Sequence, residues 1–364
     1  MRVPYVNLGA QHQEDRDELL AKVAELLDSG MFILGKEVER FEEKIAQICE
    51  TKYAVGVANG TDSLMLSMRA LGVNCGDEVI TVSHSYLASA SSIALIGAKP
   101  VLIDVDEHFN MNPSVMEEAI TPNTKAIIVV HLTGRPADMD AILAIADKHQ
   151  IPVIEDAAQA IGAKYKGKAV GGIGKLGSFS LHPLKNLAAA GDAGIITTND
   201  KSLYEWLLKA RNHGLKNRDE LEFWSINSRL DAIQAAILNI KVKRLPDWNR
   251  RRRAIADRYI SALNELVKVP SYSDEYEPVF HAFVIQTERR DELAQYLKEN
   301  GVDSKVHYPI AIHQQLPAQE VIKHDLSNTE KVVKTILSLP VYPELTDEQV
   351  DFTIQTVKNF FHGN

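Results

Sequence analysis

At 364 residues, 45% hydrophobic and 24% charged, the chain is long enough to bury a large core and to divide into two domains. Its formal charge of -9 argues against a general nucleic-acid binder, which needs a cationic surface to meet phosphates. Cys49 and Cys75 are too few for a disulfide framework or a zinc cluster, and no stretch approaches the ~20 apolar residues of a membrane span, so a cytoplasmic location is expected.

Apolar positions at helical spacing, among them Leu19, Leu20, Val23, Leu26 and Leu27, predict a helix over 13–28, and a second is expected over 37–49. Between them, residues 29–35 read as a turn. From residue 53 onward, short β-branched runs at 53–58, 79–82, 100–104, 126–130 and 153–155 alternate with helical stretches at about 62–71, 87–97, 112–119 and 137–149. Such alternation, with strands that are almost continuously apolar, predicts an α/β fold whose mostly parallel central sheet carries helices on both faces. Two further β-like runs, 177–181 and 194–198, bracket an irregular segment containing Lys185. A long helical region is expected from Asp231 to Leu266, kinked or broken at Pro246. A strand at 279–285, a helix near 290–299, a strand near 302–306 and a closing helix near 347–361 then read as a smaller α+β domain. These patterns divide the chain into 1–245 and 246–364. The basic run at 241–244 and 250–253 reads as a solvated helix face, with a phosphate-binding patch as the alternative.

Four places have residue types suited to chemistry. Lys185 stands at a strand edge, and a partly buried lysine has a lowered pKa and can supply the neutral amine that attacks a carbonyl. Asp156 ends an apolar strand, where it fits either an acidic partner for a pyridinium nitrogen or the N-cap of a following helix. Asn59-Gly60-Thr61-Asp62-Ser63 lies between a strand and an amphipathic helix. It suits a phosphate cradle at a helix start, and equally an ordinary turn capped by Asp62 or Ser63. Tyr86 offers an aromatic face for a flat ring, or simply core packing. The twelve histidines include no HExxH and no ligand-spaced cluster, so no metal is expected.

Taken together the sequence resembles the DegT family of pyridoxal-phosphate-dependent sugar aminotransferases. The resemblance runs through Phe32-Ile33-Leu34-Gly35, Asn59-Gly60-Thr61-Asp62-Ser63, Gly76-Asp77-Glu78-Val79 and the stretch 131–140. It continues through Glu155-Asp156-Ala157-Ala158-Gln159, the Lys185 segment, Arg211-Asn212-His213-Gly214, Asn227-Ser228-Arg229 and His307-Tyr308-Pro309. It implies the aspartate-aminotransferase type of fold, with a mostly parallel central sheet of the seven-stranded type and a smaller C-terminal domain. By the same resemblance, Lys185 would hold pyridoxal 5'-phosphate covalently and then move the proton, Asp156 would hold the ring nitrogen, and Gln159 would bond the phenolic oxygen. Gly60, Thr61 and Ser180 would grip the phosphate, joined by Asn227 from the neighbouring subunit of a homodimer with shared active sites, while Tyr86 would stack on the ring. Phe32, contributed across the dimer, and His307, Tyr308 and His313 would meet the substrate, while Arg229 would either meet the amino donor's carboxylate or merely order its loop. The implied reaction moves an amino group from an amino acid, L-glutamate, to a keto-sugar, a nucleotide-linked keto-deoxysugar. Alternatives on the same scaffold are an unlinked sugar acid, a cyclitol, a dehydration substrate or a non-catalytic regulatory role. One departure is Gly191-Asp192-Ala193-Gly194, where the family has glycine at the position of Ala193.

Overall fold

The apolar runs that predict strands do form them. In this computed structural model, which describes residues 1–318 and 321–363, the central strands are β1 (Tyr53–Val57), β2 (Glu78–Val82), β3 (Lys99–Ile103), β4 (Thr124–Val130), β5 (Val153–Asp156), β6 (Leu176–Ser180) and β7 (Gly194–Thr198). Later in the chain come β8 (Phe283–Gln286), β9 (Ile322–Lys323) and β10 (Ile336–Leu339). Among the described residues the main sheet has eight strands in the order β1-β7-β6-β5-β4-β2-β3-β9, the two-residue β9 extending the seven-stranded pattern at one edge. Only β7 runs antiparallel to its neighbours. The other pairings are parallel, including β2 with β3 and with β4, β4 with β5, and β5 with β6. Parallel pairing brings the carboxyl ends of these strands to one edge, where open α/β sheets bind ligands. The segments after β1, β2, β4, β5 and β6 therefore meet there.

Helices cover both faces of this sheet. Cores on its two sides draw on Val55, Leu64, Met68 and Leu207 in one case and on Phe41, Ile45, Phe179 and Leu238 in another, all buried. A separate core joins Tyr259, Leu263, Phe283, Leu293, Leu337 and Val357, with Val3 from the opposite end of the chain. β8 pairs antiparallel with β10 inside it. The expected strand near 302–306 is reduced to two isolated bridges, Val3 with Val302 and Lys305 with Ser338. Among the elements that escaped the sequence reading are the helix Lys201–Ala210, capped by Asp200, the helix Ser327–Thr335 and the strand β10 into which it leads.

The long helical region breaks as expected near Pro246. Ala232–Lys241 and Leu245–Leu263 are joined by a turn of 3-10 helix, with Pro246 in the first turn of the second helix, where its missing N–H is harmless. The basic run is a solvated face only in part: Lys243 and Arg250 are exposed and Arg244, Arg251 and Arg253 half-buried, but two members turn inward. Lys241 and Arg252 are buried: the Lys241 ammonium donates to Gln11 Oε1 at 3.2 Å and the Arg252 guanidinium donates to the carbonyls of Phe280 and Val341. Helical spacing gave the orientation of neither residue, because both partners' segments lie far away in sequence.

Candidate active site

Asp156 is the last residue of β5 and is buried. Its Oδ2 accepts from the Ser89 hydroxyl at 2.7 Å and its Oδ1 from the Ala158 amide at 3.3 Å. No helix follows it, which removes the N-cap reading. Burial raises its pKa; the donors from Ser89 and Ala158, then Lys185 and His131, act in the opposite direction.

Lys185 lies in the loop between β6 and β7, its amide bonded to the His182 carbonyl at 2.8 Å. Its side chain is partly buried. Among the described residues Nζ has no hydrogen-bond acceptor, although the charge of Asp156 is felt there. Desolvation lowers this amine from 10.5 to about 8, the nearby Asp156 opposing the change. At pH 7 roughly a tenth of it is then neutral and nucleophilic.

Gln159 follows on the turn after Asp156. Its Oε1 accepts from the Thr133 amide at 2.7 Å, and its Nε2 donates to the Tyr308 hydroxyl at 3.2 Å. Tyr308 in turn donates its backbone N–H to His84 Nε2 at 3.2 Å and sits 5.8 Å from the Tyr86 ring, centroid to centroid. Burial raises the Tyr308 phenol, with Asp156 contributing in the same direction. Tyr86 itself is 57% exposed, so it is not core.

The helix Gly60–Ala70 starts at the carboxyl end of β1 and is capped by Asn59, not by Asp62 or Ser63 as the sequence suggested. Asn59 Oδ1 accepts from Asp62 at 2.8 Å and its carbonyl from Ser63, which leaves the Gly60 and Thr61 amides without intrahelical acceptors. Gly60 packs so closely on the end of β6 that a Cβ there would fall 2.7 Å from Ser180 Cβ. Gly60, Thr61 and Ser180 thus converge on one corner, with donors suited to an anion.

His307 Nδ1 lies 3.0 Å from Ser338 Oγ and 3.5 Å from Tyr5 OH. Burial, then the charges of Lys185 and Lys305, lower its pKa to about 4. His313 is committed elsewhere, to Ser83 Oγ at 2.7 Å and Glu330 at 3.4 Å. Arg229 donates to Asn212 Oδ1 at 2.8 Å, and Asn227 forms a bridge with Asn212 on the exposed side of its loop. Phe32 is 45% exposed on a turn pinned by the Ala232 amide to the Phe32 carbonyl at 3.0 Å. Among the described residues nothing ties Phe32, Asn227, Arg229 or His313 to Lys185 within one protomer. Ala193 is buried in the core, so its methyl is absorbed by packing.

Sequence reasoning missed Ser89, which holds Asp156, and Thr133, which holds Gln159. It also missed His281, whose Nδ1 lies 3.3 Å from Asn186 Oδ1 and whose pKa burial and Lys185 depress well below the ordinary value. A serine or a backbone amide leaves no pattern of its own in sequence.

An amine without a hydrogen-bond acceptor, a buried carboxylate whose charge reaches it, a donor at Gln159 and an anion-suited corner at a helix start are groups that fit the needs of a flat, phosphorylated aldehyde cofactor in a covalent group-transfer enzyme. The model of the DegT/DnrJ/EryC1/StrS aminotransferase family matches residues 13–358, and the chain belongs to that family. It is 42% identical over 365 residues to dTDP-3-amino-3,4,6-trideoxy-alpha-D-glucose transaminase of Streptomyces venezuelae, covering 99% of this chain and 96% of that one. It is 43% identical over 368 residues to a pleiotropic regulatory protein of Geobacillus stearothermophilus, covering 99% of both. The crystal structure of S. venezuelae DesV in complex with a ketimine intermediate superposes with a TM-score of 0.95 at 42% identity, covering 99% of this chain and 98% of that one. The protein is an aminotransferase whose cofactor is pyridoxal phosphate. Among the described residues no helix is long and apolar enough to cross a membrane.

Proposed function

We propose that the protein transfers an amino group from L-glutamate to a nucleotide-linked keto-deoxysugar, as a cytoplasmic step in amino-sugar biosynthesis. The observation that carries this reading is the unpartnered, partly buried Lys185 amine facing the field of buried Asp156. The names of relatives, such as the dTDP-sugar transaminase, support the sugar class.

Bound pyridoxal phosphate supplies an electron sink for the bond broken at the amino carbon. The chain's residues do the rest. Lys185, with its lowered proton affinity, would hold the cofactor's aldehyde carbon and, once freed as an amine, would move a proton between the donor's α-carbon and that aldehyde carbon. Asp156, kept in place by Ser89, would hold the proton on the ring nitrogen. Gln159 would donate to the phenolic oxygen through Nε2, the atom that meets Tyr308 here. Gly60 and Thr61 amides with the Ser180 hydroxyl would take the phosphate, and Tyr86 would cover the ring. His307 and Tyr308 line the acceptor's side of the crevice.

Phe32 and Asn227 lie exposed on their own protomer, and we assign them, with Arg229, to the partner's site in a homodimer. The unit 1–245 then carries the cofactor and 246–364 closes over it. The test is formation of 2-oxoglutarate from L-glutamate with dTDP-linked, UDP-linked and free keto-sugars. Turnover with a nucleotide-linked acceptor and none with free sugars is expected. Equal turnover with a free sugar would contradict the nucleotide assignment, and no turnover with any would contradict the sugar.

A further inference from the structure

The stretches 131–140 and 154–159 hold buried polar groups that the proposed chemistry does not use. Glu155 and His131 are fully buried, on the strands β5 and β4 or at their ends. Glu155 Oε1 accepts from the Ile173 and Gly174 amides at 2.8 and 2.7 Å, and Oε2 accepts from Gly171 at 2.9 Å and lies 3.0 Å from His131 Nε2. The Ala137 amide donates to His131 Nδ1 at 3.0 Å. A backbone amide can only donate, so the imidazole carries its proton on Nε2 and donates that N–H in a hydrogen bond to Glu155 Oε2.

The His131 ring thereby joins the end of one strand to the far end of a turn. Asn110 staples that turn from the other side: its Oδ1 accepts from Leu132 at 3.0 Å, and its Nδ2 donates to the carbonyls of Arg135 and Pro136 at 3.1 and 3.0 Å. Between the staples, Thr133 and Gly134 adopt left-handed φ values of 62° and 89°. At Gly134 a Cβ would fall 2.9 Å from the Gln159 carbonyl, so glycine is required there. Held in this way, the Thr133 amide donates to Gln159 Oε1 at 2.7 Å. That bond decides which end of the Gln159 amide faces the crevice.

We propose that His131, locked by Glu155, is a positioning residue for amino transfer: it shapes the 131–137 turn so that Gln159 presents only a donor, its NH2 group, to the cofactor's phenolic oxygen. This inference rests on the amino-transfer reading. A donor at that oxygen stabilises its anionic form, so loss of alignment raises the pH at which the bound cofactor's visible band changes colour. The other titratable groups at the crevice, Asp156, Lys185, His84, His281, His307 and Tyr308, make no side-chain hydrogen bond to His131 or Glu155 among the described residues; of them Asp156 feels His131 electrostatically, an influence that both histidine variants remove and Asn110→Ala leaves.

The experiment is a pH titration of the visible band in protein reconstituted with pyridoxal phosphate, comparing the parent with two isosteric variants. In His131→Asn the amide oxygen replaces Nδ1 and retains Ala137; in His131→Gln the amide replaces Nε2, retains Glu155 and abandons Ala137. The midpoint is expected to rise by about one pH unit in His131→Gln, a tenfold change fitting one charge-assisted hydrogen bond, and to stay at the parent value in His131→Asn. Asn110→Ala should raise it likewise, which covers the case of a histidine variant that does not fold. In a Gln159→Ala background His131→Gln should add nothing. An unchanged midpoint in both His131→Gln and Asn110→Ala, or a rise that persists without Gln159, would overturn the inference while the amino-transfer reading stands. A parent protein that forms no visible band would instead sink that reading, and this inference with it.

Discussion

Replacing Lys185 by methionine should make the cofactor-free protein more stable at neutral pH even though it removes the proposed chemistry. The side chain is partly buried, and burial brings its amine from 10.5 to about 8. A folded value below the unfolded one means that the folded state binds fewer protons between about 8 and 10.5. The lysine therefore carries a stability cost that is fully present below about 8 and fades as pH rises through 10.5. At about 1.36 kcal/mol per pH unit, the difference amounts to about 3 kcal/mol, an upper value because the side chain keeps some contact with water. Methionine fills the same space without a charge, so Lys185→Met should gain about 1–3 kcal/mol at pH 7. Urea unfolding of the two apoproteins, at one fixed protein concentration and at several pH values, measures this as a higher midpoint for the variant. The advantage should shrink steadily above pH 8. A variant no more stable than the parent at pH 7, or an advantage that does not depend on pH, would refute the reasoning.

Three further outcomes follow from the same geometry. Asp156→Asn removes the charge that opposes desolvation of Lys185, so it should lower that amine's pKa further and quicken covalent capture of pyridoxal phosphate at pH 7, while turnover falls at least about 100-fold; trapping by borohydride and steady-state assays separate the two effects. Ser89→Ala withdraws a donor from the Asp156 carboxylate, so that carboxylate should protonate at higher pH and the acid limb of the kcat/KM profile should move upward by about half to one pH unit. Arg211→Met leaves the Glu42 carboxylate buried without its ion-pair partner and should cost about 3–5 kcal/mol in chemical denaturation, since among the described residues only the Gly56 amide at 2.7 Å still serves Glu42.

The central strands and the crevice at their ends were largely legible because the strands of a two-sided sheet must be apolar throughout, and because chemistry-bearing residues follow their carboxyl ends; their order in the sheet was not. Asp156 could be placed for that reason, whereas Ser180 came only with the family resemblance. The supporting bonds were not legible. Ser89 reaches Asp156, Thr133 reaches Gln159 and Asn110 reaches Leu132 across strands, and their types recur in ordinary turns. Capping was misplaced by a few residues because Asn59, Asp62 and Ser63 are all good caps and only the backbone's exit angle from β1 selects Asn59. Lys241 and Arg252 looked solvated because charge predicts exposure until a distant carbonyl or amide oxygen is available inside. The strand Ile336–Leu339 was missed because Ser338 interrupts a four-residue apolar run too short for periodicity to speak.

The most direct test of amino transfer is the visible spectrum of the protein with pyridoxal phosphate before and after L-glutamate is added, repeated with Lys185→Ala. The parent should form a yellow band that bleaches with L-glutamate and returns with a keto-sugar acceptor, while Lys185→Ala forms no such covalent band. A band that persists in L-glutamate, or one that forms equally in Lys185→Ala, would contradict the assignment.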